Sequence, residues 1–473
     1  MINKNIFKKT LSAAAVVAGL SAVTAVEAAN WLMLQGTERP GAAGRAKVWG
    51  FLQPEYQSTD GTTVQAGAFK DNDAIFNQIR PDLNDSSDFN VLRARIGVRG
   101  ISMPLDSNVN YFFLAEAGNN GASRYSNAGH GGMLMTDASV TLNNIKGARI
   151  RIGQFKTPIG EEALQAIHVF DYINFSGATN GLLLERFFNG DGSGTFVNQT
   201  PTGSTTASDT GDTNAPNSGV GAFRDIGIQV FDTFKVGKWE HSYAVMKGNG
   251  NGVNRGDNDG HKDTYLYYSA EQVYGGKGPK RQGLKMYVWD WDGKRTLTGE
   301  GAGTYDRKRS GIGLTYRKGK QRAAFEYITA DGMIFTGTDG ASLPGASGQL
   351  PGAAPFGTNP DVGSDNAVTA SWNVATGGEA NGYYIHYGYA ITPKIELDIR
   401  HDVYNRMTNV TNAERIFTTT TLGAQYWLNK KSHLTFNYEM RDAEAPAYSA
   451  TSNTQKVLDS LDDRISIGLL TIF

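Results

Sequence analysis

Arginine recurs at alternate positions in several stretches of this chain. Arg93, Arg95 and Arg99 alternate with Leu92, Ala94, Ile96 and Val98. Arg149 and Arg151 alternate with Ile150 and Ile152, and Arg307, Arg309 and Arg317 take the parity opposite to Ile312, Leu314 and Tyr316. A period of two is that of an extended strand, so each arginine row lies on one face and its apolar partners on the other. Guanidinium stays charged at any relevant pH and binds oxyanions in bidentate fashion. A vertical row of such groups along a wet wall would lower the barrier for an anion moving past it. The same row could instead pair with carboxylates on neighbouring strands and stiffen the wall. Arg322 with Glu326, and Lys394, Glu396, Asp398 and Arg400 against Ile395, Leu397 and Ile399, follow the same rule.

Other chemistries find little support. The seven histidines are scattered, with no pair at metal-ligand spacing. Gly190-Asp191-Gly192 and Asp257-Asn258-Asp259-Gly260 carry fragments of a calcium loop without its full pattern. His241 and His433 can face inward on strands, but no nucleophile or orienting partner surrounds them, and no phosphate-cradling glycine loop is present. Neither an enzyme, a metal site nor a cofactor is expected. With no cysteine, disulfides and thiolate sites are unavailable.

The elements that must position the arginines are strands. Runs with period-two alternation occur at 45–57, 89–101, 107–118, 133–142, 147–155, 222–232, 237–247, 263–274, 283–291, 304–317, 320–330, 380–390, 393–404, 414–428, 432–441 and 462–473. Each is about ten residues, the length a tilted strand needs to cross a bilayer. Their connections alternate between short, such as Lys318-Gly319 and Ile391-Thr392, and long and rich in Gly, Asn, Asp and Ser, such as 58–88, 156–221 and 331–379. That alternation predicts an all-β transmembrane antiparallel β-barrel of about 16 strands, with tight turns on one side and large loops on the other. A closed barrel leaves no unpaired backbone edge in lipid. The last strand ends on Phe473, with Ile465, Ile467, Leu469 and Thr471 on the same face. A terminal Phe there resembles the signal that outer-membrane assembly machinery recognises.

Lys4, Lys8 and Lys9, the apolar run Leu11 to Ala25, and Val26-Glu27-Ala28 predict a secretory signal peptide over 1–28, cleaved after Ala28. Residues 29–473 are then one barrel domain. Mean hydropathy is −0.38, and no later apolar run is long enough for a spanning helix. Residues 1–28 remove three Lys and one Glu from 45 basic and 46 acidic residues, leaving 42 against 45. No basic surplus remains for nucleic acid. Aromatic residues bunch near strand ends, at Trp49 and Phe51, Tyr265 and Tyr267, Trp289 and Trp291, Tyr387 and Tyr389, and Tyr426 and Trp427. They predict girdles at the headgroup level.

In lipid the apolar parity must face outward, because Arg or Lys on that face costs about 2–4 kcal/mol at mid-depth. The arginine rows therefore face the lumen. The long stretch after the fifth strand is too apolar for a solvated loop: Ala163, Leu164, Ile167, Val169, Phe170, Ile173 and Phe175 require burial, inside the barrel or against a neighbouring subunit. The expected result is a water-filled channel for passive diffusion of small hydrophilic solutes and ions, with anions preferred and phosphate or other oxyanions within its range. A non-selective or cation-tolerant channel is the alternative, and a closed structural or adhesion barrel a further one.

Arg93-Ala94-Arg95 closed by Gly97 and Gly100, then Gly153-Gln154-Phe155-Lys156, Pro158 and Glu161-Glu162, and later Glu185-Arg186, resemble the phosphate-selective porin O and P family in its order of motifs. The resemblance implies a Gram-negative outer-membrane porin of sixteen strands, homotrimeric, with a long third loop folding into the pore. Phosphate-binding members place many basic residues at the constriction. This loop offers Glu161, Glu162, Asp171 and Glu185 against Lys156, Arg186 and His168. A broader channel is therefore expected, with carboxylates facing an arginine wall.

Overall fold

The computed structural model describes residues 30–34, 37, 46–59, 65–66, 87–102, 106–120, 133–184, 196–199, 205–208, 221, 223–257, 259–276, 278, 281–297, 303–335 and 374–473. The expected signal peptide, Glu185, Arg186 and Gly190 to Gly192 lie outside them. Sixteen antiparallel strands close into one barrel, each paired with its sequence neighbours, and the first with the last. They are β1 (Lys47–Thr59), β2 (Ser87–Ser102), β3 (Asp106–Glu116), β4 (Leu134–Leu142), β5 (Arg149–Lys156), β6 (Arg224–Val236), β7 (Trp239–Gly248) and β8 (Asp263–Gly275). The second half comprises β9 (Gln282–Leu297), β10 (Gly303–Lys318), β11 (Gln321–Asp331), β12 (Glu379–Ala390), β13 (Ile395–Arg406), β14 (Arg415–Trp427), β15 (Ser432–Glu444) and β16 (Arg464–Ile472). Each falls on one of the sixteen runs expected from periodicity. Closure is made by pairs from Phe51–Ile472 to Thr59–Arg464, and Phe473 exchanges backbone bonds with Gly50.

The tight turns follow from residue type. Between β10 and β11 only Gly319 and Lys320 intervene, and Gly319 has φ +59°, which a glycine adopts without strain. The alternation also holds in three dimensions. On β13, Glu396, Asp398, Arg400 and Asp402 are buried, while Ile395, Leu397 and Ile399 are exposed. On β16, Arg464 and Ser466 turn inward, and Ile465 and Ile467 outward.

Two expectations of parity fail, each for a physical reason. Leu92 was assigned to the lipid face but is 0% exposed. Gln53 pairs with Arg93 and Pro54 with Val91, so Leu92 is the extra residue of a β-bulge opposite a proline that has no N–H to donate. The bulge resets the parity, and Phe89 and Val91 beyond it face outward. Several residues of the expected aromatic girdle are also internal: Phe51, Tyr265, Tyr267, Trp289 and Trp291 are buried. Their polar ends explain part of this. Trp289 Nε1 donates to Glu326 (2.8 Å) and Trp291 Nε1 to Asp263 (2.8 Å), so each indole brings a donor to a buried carboxylate. Tyr387, Tyr389 and Tyr426 do face outward.

The apolar core thus lies inside the barrel, where these rings pack with the segment after β5. One contact within it is close enough to test. A Cβ on Gly313 would sit 2.2 Å from the Tyr287 ring and 2.7 Å from the Phe325 carbonyl oxygen. Gly313→Val should cost at least about 1–3 kcal/mol in overpacking. The expected outcome is a smaller heat-modifiable, folded fraction on a gel, partly recovered when Tyr287→Ala is added.

Candidate permeation pathway

The segment from Thr157 to Leu184 carries the short helices α2 (Glu161–Leu164) and α3 (Gly177–Leu182), with a 3-10 turn at Ile167–Val169 between them. Its apolar residues are buried against this chain's own barrel, Val169 only partly, as the composition required. Ser176 caps α3 by accepting from Thr179 N (3.2 Å). Many of its other ties come from inward-facing side chains of the wall.

Lys285 Nζ on β9 meets Glu161 at 2.6 Å, while Glu326 on β11 accepts from Glu161 N at 3.0 Å. Glu162 receives Ser176 Oγ (2.6 Å) and N (3.1 Å) through one oxygen and Arg400 of β13 (3.1 Å) through the other. Asp171 pairs with Arg322 of β11 at 2.8 Å. Tyr172 shares a 2.7 Å hydrogen bond with His386 Nδ1 on β12. Ile173 N donates to Asn437 on β15, and Gly177 N to Asp402 on β13. At the near end, Lys156 donates to the Gln165 carbonyl (2.8 Å). Burial alone would push the Asp171 carboxyl up, but Arg322, His386 and Arg317 around it hold it below its ordinary value. Burial, with Lys156, Arg99 and Arg95 nearby, depresses the His168 imidazole to about 4, so it is neutral at pH 7.

Beside this segment a cavity of ≈ 120 Å³ remains. The segment contributes Glu161, Glu162 and Asp171 to its lining, and the rest of the barrel Glu271, Arg281, Lys285, Arg317, Arg322 and Arg400. Arg281 pairs with Glu240 and Glu271, Lys285 with Glu161, Arg400 with Glu162, and Arg322 with Asp171, Glu396 and Asp398. Arg317 differs. Among the described residues it has neither a hydrogen bond nor an ion pair, and it stands directly across from Arg322 in the β10–β11 register.

The arginines singled out by spacing occupy several places. Arg93, 1% exposed, donates to Gln53 (2.8 Å) and lies over the Phe175 ring. Arg95 pairs with Glu116 (2.6 Å) and Arg149 with Asp232 (3.5 Å). Arg151 donates to the Leu32 carbonyl (3.3 Å) and lies over Phe231. Arg99 is half-buried. Arg307 stacks on Trp291, and Arg309 donates to the carbonyls of Leu182, Gly332 and Met333. Of these rows Arg317 lines the cavity with the loop carboxylates, as do Arg322 and Arg400, which the same alternation placed inward. Lys285 and Arg281, which spacing did not single out, line it too. Lys285 had a readable signal, since it shares parity with the buried Tyr287, Trp289 and Trp291, but the two indoles were expected in the headgroup girdle.

A closed sixteen-strand antiparallel barrel with apolar exterior and charged interior is the architecture of a porin. The model of the family described as phosphate-selective porin O and P matches residues 65–179, which include the Arg93-Ala94-Arg95 and Gly153–Lys156 motifs. Of the solved structures, Salmonella typhi OmpF in complex with daunomycin superposes with a TM-score of 0.52 at 12% identity, covering 90% of this chain and 97% of that one. An anion-selective porin from Comamonas acidovorans aligns at 0.48 and 11%, covering 90% and 99%. The outer-membrane channel DcaP of Acinetobacter baumannii aligns at 0.47 and 11%, covering 93% and 100%. No curated protein matches the sequence. The matched stretch carries the resemblance to that family, and the closed barrel is the fold of the outer-membrane channels that it superposes on.

Proposed function

We propose that the channel prefers small anions, phosphate and other oxyanions among them, and that the segment Thr157–Leu184 lies across the pore as its constriction. The observation that carries this reading is Arg317, a cation on the cavity wall that makes no hydrogen bond or close ion pair among the described residues, although Asp171, Glu396 and Asp398 lie near enough to act on it. Its neighbours Lys285, Arg322 and Arg400 have their charge balanced by carboxylates. An unbalanced charge acts on a passing ion, whereas a paired one acts mainly on its partner. Arg93, Arg95, Arg99, Arg149 and Arg151 line the pathway from β2 and β5; Arg93 lies over Phe175 of the segment, while Arg95 and Arg149 pair with Glu116 and Asp232 of the wall. Arg309 holds α3 through the Leu182 carbonyl, and Arg307 lies over Trp291. Glu161, Glu162 and Asp171 moderate the preference from the loop, and Glu185 and Arg186 extend that loop beyond the described residues. The chain is exported by the signal peptide over 1–28, assembled through Phe473 and trimeric in outer-membrane lipid.

Replacing Arg317 by Ala removes about 1 kcal/mol of attraction for an anion at about 4 Å in water. The anion-to-cation permeability ratio, read from the reversal potential in a KCl gradient, should fall several-fold. An unchanged ratio in a folded variant would leave the general-diffusion alternative, favoured by the close pairing of the other wall cations, as the better account.

A further inference from the structure

Inside the barrel lies a segment that belongs to no strand. Asn30 to Leu34, with the four-residue helix α1 (Trp31–Leu34), sits against the lumenal wall, and Trp31, Leu32 and Met33 are buried there. Its ties are few and mostly through side chains. Trp31 Nε1 donates to Glu161 of the loop (2.9 Å), Asn30 Nδ2 to Ser269 of β8 (3.0 Å), and Arg151 of β5 to the Leu32 carbonyl (3.3 Å). Its one backbone–backbone bond among the described residues is internal, Met33 N to Asn30 O.

We propose that Asn30–Leu34 is a lumenal plug that partly closes the channel and can be withdrawn. A barrel strand is held by a ladder of backbone bonds on both sides. This segment can leave without opening the sheet, because it takes part in none. Trp31 lines the same cavity as Arg317 and Lys285, so its side chain occupies space a solute would cross. Its anchor, Glu161, is also the partner of Lys285. When the indole leaves, that carboxylate keeps an ion pair and is not stranded, which lowers the cost of withdrawal. With cleavage after Ala28, Asn30 becomes the second residue of the exported chain, so the plug is tethered at one end only. The proposal rests on the channel reading and is independent of anion preference.

The chain has no cysteine, so a pair introduced by Asn30→Cys and Ser269→Cys is unique. Bridging the pair with a short, reducible bifunctional thiol reagent in a planar bilayer should hold single channels at one low conductance. Reduction should raise conductance about two-fold as the lumen widens. A variant lacking Asn30–Leu34, checked for heat-modifiable folding, should show the higher level permanently and ignore the reagent. Equal conductance before and after reduction would overturn the plug. So would a folded deletion variant conducting like the unaltered protein. Absence of current from every form would overturn the channel reading, and the plug with it.

Discussion

Replacing Glu162 by Ala is expected to release the segment Thr157–Leu184 from the wall. Glu162 joins three parts of the lumen: α2, which carries it, Ser176 at the start of α3, and Arg400 on β13. All three are buried. Its loss leaves the Arg400 guanidinium with Asp402, 3.4 Å away, and the Asn174 carbonyl at 3.0 Å, and removes the acceptor of the Ser176 N–H and hydroxyl. Removing one partner of a buried ion pair costs about 3–5 kcal/mol, mostly because the other charge stays buried. The barrel has its own ladder of backbone bonds and should survive, so the energy is lost from the docked segment. The expected result is a normally heat-modifiable protein whose single-channel current is larger and noisier. Glu162→Gln keeps one hydrogen-bond acceptor and should fall between. A Glu162→Ala channel with unaltered conductance and noise would mean the segment does not restrict flow.

The second large effect is on selectivity. Arg322 serves Asp171, Glu396 and Asp398 together, all within 2.8 Å. Arg322→Ala leaves three carboxylates around the cavity with Arg317 as the nearest remaining cation on that wall. Asp171 is held below its ordinary carboxylate value by burial's opponents, Arg322 first among them. Without Arg322 that depression shrinks. Because a lowered carboxylate contributes stability above its unfolded value and loses it as pH falls through the folded one, the variant should lose that contribution at higher pH than the unaltered protein. At pH 7 the exposed negative charge should shift the reversal potential toward cations by more than Arg317→Ala does. A smaller shift than that of Arg317→Ala would show that these carboxylates are screened from the permeating ions.

The barrel was legible because lipid and lumen impose opposite polarities on alternate residues. All sixteen strands could be placed from that rule, and the charged parities of β10 and β13 point inward as it demands. The rule fails where a local event overrides it. The bulge at Leu92 depends on its cross-strand partner being Pro54, a pairing invisible until register is known. The aromatic rings of β8 and β9 follow the inward parity of Lys285 and Asp263, but β-propensity alone cannot tell a lumenal ring from a girdle ring. The arginines were readable as lumenal, yet not as paired or free. That distinction rests on which carboxylate comes within direct contact, as Glu116 does for Arg95, whereas Arg317 has Asp171, Glu396 and Asp398 near it without a hydrogen bond or close ion pair. The burial of Trp31 had no local signal, since its partner Glu161, like the Ser269 partner of Asn30, lies far along the chain.

The central claim is that Arg317, a lumenal cation held in no direct ion pair among the described residues, makes this channel prefer anions, although the whole chain carries a formal net charge of −1. Surface charges on outer loops are screened within about 8–10 Å at ordinary salt, so the lumen should decide. The direct measurement is the reversal potential of the unaltered protein in a planar bilayer under a KCl gradient at pH 7. A potential on the chloride side is the predicted result. A potential at zero, or on the potassium side, would contradict the account.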